Sequence, residues 1–405
     1  MAAGHLSIGQ RIAVTRRRRG MSQAQVAGPL GKSVQWLSNI ERGVRSADRY
    51  SILVPIADVL RVSVPELIGD RHVPAELPEV KHDAARTVRL ALSESGFSTA
   101  ATISGSASRA DLEELHGRVR TAWALVHEAR YRDLGRIVAP LIRDCERDAR
   151  ADGPARQDAW RLLAELYQAI TAMMARLGEA DAAWVAADRS TFAASQAGDT
   201  VLAAAGGFRL GHAFLRAGKL DEASRAVNMA AATVESAARG GDPDATALWG
   251  ALNLVGSIIA ARAGEREAAL SAIARAQGAA DRLGPGYVDM RFETEFGARN
   301  VALHAVAVAV ELGDAAEAVR GWAAIDTTGL SPERRARVLV DLARAHARRR
   351  RSRAAVRALE DAERLAPELV RCHWLARETV RELLRRERGR AKPGRLDLAG
   401  RMGLL

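Results

Sequence analysis

Three side chains with the chemistry needed to read nucleic-acid bases fall within one short segment. Gln35, Ser38 and Asn39 follow a serine suited to cap a helix and precede Gly43, so a helix is predicted over residues 33–42. Spacings of three and four residues bring these side chains to the same helix face. A carboxamide can donate and accept at once, as a bidentate contact with adenine in the major groove requires. The segment therefore carries side chains of the type that contact base edges.

Short helical segments surround this one and would hold it in place. A tight turn, Leu30-Gly31-Lys32, separates it from a preceding helix that Ser22 caps. Two short helices joined in this way, inside a small helical bundle, form a DNA-reading unit whose second helix fits the major groove. The further predicted helices are Ile8–Arg18, Ala47–Leu60 and Val64–Ile68. Residues 1–70 are thus expected to form a five-helix DNA-binding domain.

The sequence resembles the lambda-repressor/Cro-like (Xre) helix-turn-helix family over residues 8–69. The matching stretches are MSQAQVA, LGKSVQWLSNIERG and IADVLRVSVPELIG, in the family's order and spacing. The resemblance implies that Gln35 and Asn39 contact adenines, that Val34 meets a thymine methyl group, and that Gln23 contacts phosphate. It also implies a partly buried ion pair between Arg16 and Glu41. The residues expected on DNA are Gln23, Lys32, Ser33, Val34, Gln35, Trp36, Ser38, Asn39, Arg42 and Arg45.

Charge is distributed unevenly along the 405 residues, whose formal net charge is +11. Residues 1–72 hold 11 Lys and Arg against 5 Asp and Glu, which suits an anionic partner such as DNA. Residues 334–395 hold 20 against 8. The second block is open to two interpretations. One is a solvated rim with a disordered tail, and the other is additional phosphate contact or docking onto an acidic part of the body.

Neither the composition nor the start of the chain suggests secretion or a membrane. The first twenty residues have no apolar stretch typical of a signal peptide, and there is no run of about 18 apolar residues. Two distant cysteines without metal-ligand spacing favour a reduced, cytoplasmic protein. The high helix-former content and 4% aromatic residues predict an all-α fold.

The region between the two expected domains is interpreted as a linker over residues 71–110. It contains one predicted helix over residues 83–94 and a loop over residues 96–109 that is rich in Ser, Gly, Thr and Ala. Residues 389–405 are interpreted as a basic tail.

From residue 111 to residue 388 the chain repeats a turn followed five residues later by an alanine. Clear copies are LGEADAA, AGKLDEA, AGEREAA and LGDAAEA, with turn glycines at 178, 218, 264 and 313. This resembles tetratricopeptide repeats, although the intervals of 37 to 49 residues exceed the family period of about 34. The resemblance implies an α-solenoid of about six helix pairs, with extended first helices lining a concave surface.

The combined layout resembles a group of actinobacterial regulators, and its architecture is similar to that of RRNPP regulators, which sense peptides in a repeat groove. The segments ETEFGARNVALHAVAVAVELGD and LSPERRARVLVDLARAHARRR carry the first resemblance. Members of that group usually read FGPTNV where this chain reads FGARNV, which puts the identity of any ligand in doubt. The expected effector is a peptide or a small molecule.

Repeat positions predicted to face the concave surface supply the candidate ligand-binding residues. Amides suit a peptide backbone and guanidiniums suit an anion. The alternative interpretation of His212 is an interior polar side chain whose hydrogen bonds are made within the protein. The candidates are Gln168, Phe208, His212, Arg299, Asn300, Arg337 and Arg344.

No catalytic motif is apparent, so no enzyme activity, cofactor or metal is expected. The sequence lacks a P-loop, a GxSxG elbow and an HExxH pair, and His82-Asp83 has no accompanying ligands. The favoured function is a sequence-specific transcriptional regulator, a homodimer on a pseudo-palindromic double-stranded operator, with a ligand-sensing repeat domain. The competing hypotheses are a regulator whose repeats bind only protein partners, and a scaffold that does not bind DNA.

Overall fold

A computed structural model of the chain describes residues 6–68, 79–94, 109–386 and 393–404. Every regular element in these ranges is an α-helix, as predicted. The N-terminal domain contains α1 (Ile8–Arg18), α2 (Gln23–Ala27), α3 (Val34–Glu41), α4 (Tyr50–Val59) and α5 (Val64–Ile68).

Serine caps and one close backbone approach position α3 in the N-terminal domain. Ser7 and Ser22 form capping boxes at the starts of α1 and α2, and Ser33 caps α3. A Cβ on Gly9 would lie 2.0 Å from the carbonyl oxygen of Ile40, so only glycine lets α1 and α3 pack this closely. The core they share consists of Ile8, Ile12, Val26, Leu37, Ile40, Leu53, Ile56, Leu60 and Leu67.

One helix follows the N-terminal domain and packs on the body of the protein. α6 (Glu79–Glu94) is longer than the helix predicted over residues 83–94. It contacts the helices Tyr131–Arg150, Ala180–Gln196 and Pro367–Cys372. It buries Ala84, Val88 and Leu92. It is therefore part of the packed body and not only a linker element. All but residue 109 of the loop predicted over 96–109 lies outside the described residues.

The body is a stack of helix pairs with two layers. Odd-numbered helices pack on the next odd-numbered helix from α7 to α17, and each also packs on its even-numbered partner. The odd-numbered helices therefore form an inner layer, as in an α-solenoid. The helices are α7 (Arg109–His127), α8 (Tyr131–Arg150), α9 (Arg156–Arg176), α10 (Ala180–Gln196), α11 (Thr200–Ala217), α12 (Leu220–Arg239), α13 (Pro243–Ala263), α14 (Arg266–Leu283), α15 (Ala298–Leu312), α16 (Ala315–Ala323), α17 (Pro332–Arg348), α18 (Ser352–Leu365), α19 (Pro367–Cys372) and α20 (Trp374–Arg386).

The turn and alanine pattern corresponds to the joints between these helices. The glycines at 178, 218, 264 and 313 all have positive φ between 75° and 97°, and each ends an inner-layer helix. The alanine five residues after each glycine is buried. Long helices, such as the 21 residues of α9 and of α13, account for part of the excess over a 34-residue period.

A non-helical segment between α14 and α15, residues 284–297, fills part of the concave side. We call it the inserted loop. Its Asp289, Thr294 and Phe296 are fully buried, and the Phe296 ring lies where a Cβ on Gly250 of α13 would otherwise sit. This loop was not predicted, and it lengthens the interval between the turns at Gly264 and Gly313.

The C-terminal region is folded where the structure describes it, which corrects the interpretation of residues 389–405 as a tail. α21 (Pro393–Arg401) packs on α20, and Leu398, Ala399 and Met402 are buried. Arg401 is fixed by an ion pair of 2.8 Å with Glu363. The segment is folded despite its basic composition, because its apolar residues are buried against the body.

One described helix is long and apolar enough by composition to span a membrane. It is α13, and 72% of its most apolar window is buried inside the protein. Burial of this kind is typical of a core helix.

Candidate nucleic-acid interface and internal cavity

α3 presents one uncovered face. We call it the reading helix, because it is the helix that the sequence predicts to contact base edges. Its start is fixed because the backbone N–H of Trp36 donates to the Ser33 hydroxyl at 3.1 Å. Leu37 and Ile40 point into the core, as predicted. Val34, on the other side, remains 46% exposed. An exposed apolar side chain at a helix start is placed as a contact to a thymine methyl group requires.

A chain of hydrogen bonds runs along this face. Gln35 Nε2 donates to Asn39 Oδ1 at 2.9 Å, and Arg42 Nη2 donates to the same oxygen at 2.8 Å. Both lone pairs of that oxygen are therefore engaged. A bidentate contact between Asn39 and adenine would have to replace one of these donors with the adenine amino group. The exchange costs little because the group is accessible to water.

A second cluster ties the start of α2 to the end of the reading helix. Arg16 pairs with Glu41 through contacts of 2.6 and 2.8 Å, which confirms the ion pair expected from the family resemblance. Gln23 Nε2 also donates to Glu41 at 2.7 Å, a contact that sequence reasoning missed. Burial opposes ionisation of Glu41, but these hydrogen bonds outweigh it and lower its pKa. The Gln23 side chain is thus already held by the protein.

The remaining candidate DNA contacts surround the reading helix. Lys32, Arg42 and Arg45 are exposed, and Ser38 is half-buried. Trp36 is half-buried and packs against the core, so only part of its indole is accessible.

Comparison with known proteins concerns this N-terminal part of the chain. Residues 7–67 match the helix-turn-helix domain family and form a helix-turn-helix domain. The chain is also 35% identical over 65 residues to the HTH-type transcriptional regulator SinR of Bacillus subtilis (strain 168). That match covers 16% of this chain and 59% of SinR, so the chain spans less than two thirds of the relative's length.

The helix-turn-helix domain is docked on the body through Asp48, in the loop before α4. Arg348 Nη2 pairs with its Oδ2 at 2.8 Å, and Arg344 contacts the same oxygen at 3.3 Å. Arg344 also donates to the Asp48 backbone carbonyl at 3.0 Å. Although burial opposes its ionisation, the two guanidiniums hold the pKa of Asp48 well below its usual range.

Aromatic contacts reinforce the docking. The guanidinium of Arg262, at the end of α13, lies 4.3 Å from the centre of the Tyr50 ring. The Trp374 ring meets Tyr50 edge-on at 5.9 Å. These contacts engage the α4 side of the helix-turn-helix domain and leave the exposed face of the reading helix uncovered. Arg385 of the basic C-terminal block lies close to Gly43, at the end of the reading helix.

A partly open cavity of about 100 Å³ lies on the inner layer of the body. A second space of about 10 Å³ shares several of its lining residues. We call the larger one the arginine cavity, because five guanidinium side chains line it. They are Arg176, Arg216, Arg262, Arg334 and Arg337.

Three of the predicted ligand residues line the arginine cavity: His212, Asn300 and Arg337. Phe208 lines the adjoining small space and meets His212 edge-on at 4.8 Å. Asn300 is buried and its Oδ1 accepts from Arg334 at 3.0 Å. Four of the residues predicted to face the concave surface therefore lie together in the structure.

The other three predicted ligand residues lie elsewhere. Arg344 is 1% exposed and is held by Asp48, Asp341 and Glu311 instead of facing the cavity. Arg299 lies near the surface, where it pairs with Asp326 and donates to the Thr328 carbonyl at 2.8 Å. Gln168 lines a separate space of about 300 Å³ beside the inserted loop. The docked domain and the inserted loop account for these differences. Neither could be predicted from the position of a residue within its repeat.

Burial keeps the histidines of the arginine cavity neutral. It lowers the pKa of His304 to about 3 and that of His212 and His373 well below the usual value, and the neighbouring guanidiniums act in the same direction. Burial also lowers the pKa of Arg337 to about 10. The cavity is therefore a region of positive potential with neutral imidazoles in its wall.

The described residues contain no group of three or more His, Cys, Asp or Glu arranged to hold a metal ion.

Proposed function

We propose that the protein is a sequence-specific DNA-binding transcriptional regulator. The observation that carries the proposal is the reading helix, whose buried side locks into the helix-turn-helix core while Val34, Gln35 and Asn39 stay accessible. The similarity of this region to SinR, which is an HTH-type transcriptional regulator by name, supports the same function. Exposed Lys32, Arg42 and Arg45 would supply salt-dependent phosphate contacts.

A mobility-shift assay with the DNA upstream of the protein's own gene tests this proposal. Gln35→Ala combined with Asn39→Ala is expected to weaken specific binding about tenfold or more, since each bidentate base contact contributes about 1–3 kcal/mol. Gln277→Ala with Asn228→Ala removes the same chemistry from exposed sites on the body and should leave binding unchanged. Equal shifts for wild type and the reading-helix variant would refute base reading by α3.

The proposal includes a homodimer, because a single helix-turn-helix unit reads only a short half-site. We infer that the repeat-like body mediates dimerisation. Large apolar side chains on its outer helices remain exposed, including Trp184, Phe192 and Met229. Sedimentation at micromolar concentration tests this part, and a monomer both alone and on DNA would contradict it.

The body is further proposed to be a tetratricopeptide-like solenoid that senses a peptide or small-molecule effector. The arginine cavity supports this, because a built polar cavity on the inner layer is where an effector could bind. Thermal-shift measurements against fractionated culture extract test the proposal. A stabilising fraction that contains no protein would support sensing, whereas stabilisation only by protein fractions would favour repeats that bind protein partners alone.

A further inference from the structure

We propose that the arginine cavity binds a compact oxyanion with a phosphate or carboxylate group, and that the helix-turn-helix domain responds to its occupancy. The proposal rests on the proposed effector-sensing function and names the chemical class of the effector. Three features support it: the charge of the cavity, its size, and the side chains that it shares with the docked domain.

The side chains that line the cavity carry more positive than negative charge. Among the described residues that line the cavity, five are arginines and two are carboxylic acids, Glu311 and Asp341. Arg344 pairs with both acids from outside the cavity, at 3.6 and 3.0 Å. Positive charge therefore exceeds negative charge at the cavity surface, as an anion site requires.

Of the five arginines that line the cavity, Arg337 is held least tightly by other groups of the protein. Its ion pair with Glu333 is 3.7 Å long, and Arg176 already holds the same carboxylate oxygen at 2.6 Å. Within the described residues no hydrogen-bond acceptor reaches the Arg337 guanidinium, and 38% of the side chain remains accessible although it lies in the inner layer. A planar guanidinium in this state is suited to bidentate contact with an oxyanion.

Buried polar atoms without partners cluster at the same place. Within the described residues, Nδ1 of His373, Nε of Arg262 and Oε2 of Glu311 have no hydrogen-bond partner, and all three residues line the cavity. Buried polar groups are nearly always satisfied in native proteins. The two nitrogens include one certain donor, Arg262 Nε, which lies 3.5 Å from a Glu311 oxygen without forming a hydrogen bond and which an oxyanion would satisfy.

The small volume of the cavity favours a compact ligand. An apolar cavity of about 150 Å³ accommodates benzene, and the arginine cavity has about 100 Å³. The inserted loop also occupies the concave side next to it, with Thr294 and Glu295 held by Arg334. These features favour a ligand of a few heavy atoms over an extended peptide.

The cavity wall and the docking contact share side chains. Arg262 lines the cavity and also lies against the Tyr50 ring of α4. Glu311 links Arg262, at 3.5 Å, to Arg344, which binds Asp48. An anion that draws Arg262 toward itself would therefore change the partners of Glu311 and the seating of the helix-turn-helix domain.

Calorimetric titration of the full-length protein with inorganic phosphate, and separately with malonate, at constant ionic strength tests the site. Saturable binding of either probe is expected, and Arg337→Gln should weaken it about tenfold or more. Arg335→Gln, on the same helix but outside the cavity lining, should bind like wild type. Failure of both probes to bind saturably, or equal binding by both arginine variants, would overturn the proposal.

A second variant addresses misfolding of Arg337→Gln. Ala307 lines the cavity, so Ala307→Leu reduces its volume and keeps all five guanidiniums. It should abolish probe binding without lowering the melting temperature. Full probe affinity in this variant would show that binding occurs elsewhere and overturn the site.

Operator binding measured with and without the probe separates this inference from the proposed regulator function. We expect the bound probe to change the apparent operator affinity of wild type at least severalfold, and to have no effect on Arg337→Gln. DNA binding without any probe binding refutes the oxyanion site alone. Probe binding without DNA binding refutes the regulator function and leaves the site standing, and both activities without coupling refute the response of the helix-turn-helix domain.

Discussion

At the scale of single residues, Glu41 stabilises the N-terminal domain by holding two side chains at once. The ion pair with Arg16 was predictable because the family resemblance implies it. The additional bond from Gln23 was not predictable, because spacing along α2 does not specify which way an amide turns. Likewise His212, Asn300 and Arg337 followed from the concave-face positions. Arg262 was missed because it lies near the end of a long helix, beyond the positions that a 34-residue repeat assigns to the concave face.

Glu41→Gln is expected to lower the free energy of unfolding by about 3 kcal/mol, since it leaves a largely buried arginine without its counter-charge. The pKa of Glu41 is lowered by folding, so the ion pair stabilises the protein above the unfolded carboxyl's pKa and the effect is lost as pH falls through the folded value. Urea denaturation at pH 7 measures the loss. Asp58→Asn, exposed on α4, is the control, and equal stability of the two variants would contradict the prediction.

At the scale of elements, helix caps and buried alanines predicted most helices, because these signals are local in sequence. The inserted loop was not predictable, since its stability comes from partners on several distant helices. His127 of α7 is one of them: its Nε2 contacts Glu293 at 2.8 Å and its Nδ1 contacts Glu295 at 3.3 Å. Burial opposes protonation of this imidazole, but the two carboxylates outweigh it and raise its pKa.

The inserted loop should therefore be held more tightly in mild acid than in mild base. Because folding raises the pKa of His127, its contribution is complete below the unfolded value of about 6.5 and is lost as pH rises through the folded value. The melting temperature of wild type should exceed that of His127→Gln by more at pH 6 than at pH 8.5. His116→Gln controls for loss of an imidazole from the same helix. A difference that is constant with pH would disprove the assignment.

At the scale of the whole molecule, the sequence indicated two helical parts but not their docking. The interpretation of the second basic block as a solvated rim is wrong for Arg348, which binds Asp48 of the helix-turn-helix domain. The alternative predicted docking onto an acidic part of the body, whereas Arg348 binds an acidic residue of the helix-turn-helix domain. A contact of this kind joins positions 300 residues apart and carries no local sequence signal.

Asp48→Asn should loosen the docked domain and leave both parts folded. Arg344 and Arg348 would lose their shared counter-charge in a buried contact, at a cost of about 3 kcal/mol. Hydrogen exchange should speed up in α4 and at the end of α17, while α9 to α12 stay protected. Asp281→Asn, exposed on α14, serves as the control. Unchanged protection of α4 in the Asp48 variant would show that the aromatic contacts alone maintain docking.

The seating of Tyr50 between Arg262 and Trp374 also limits how freely the parts of this protein can be exchanged. A helix-turn-helix domain taken from another regulator would carry its own reading helix, but it would fit this body only with an acidic residue at position 48 and an aromatic ring at position 50. A chimera that lacks them would remove the carboxylate that Arg348 binds and one of the three that surround Arg344. If α3 reads DNA as proposed, changes on α3 alone would alter specificity, whereas replacement of the whole domain requires the body to change with it.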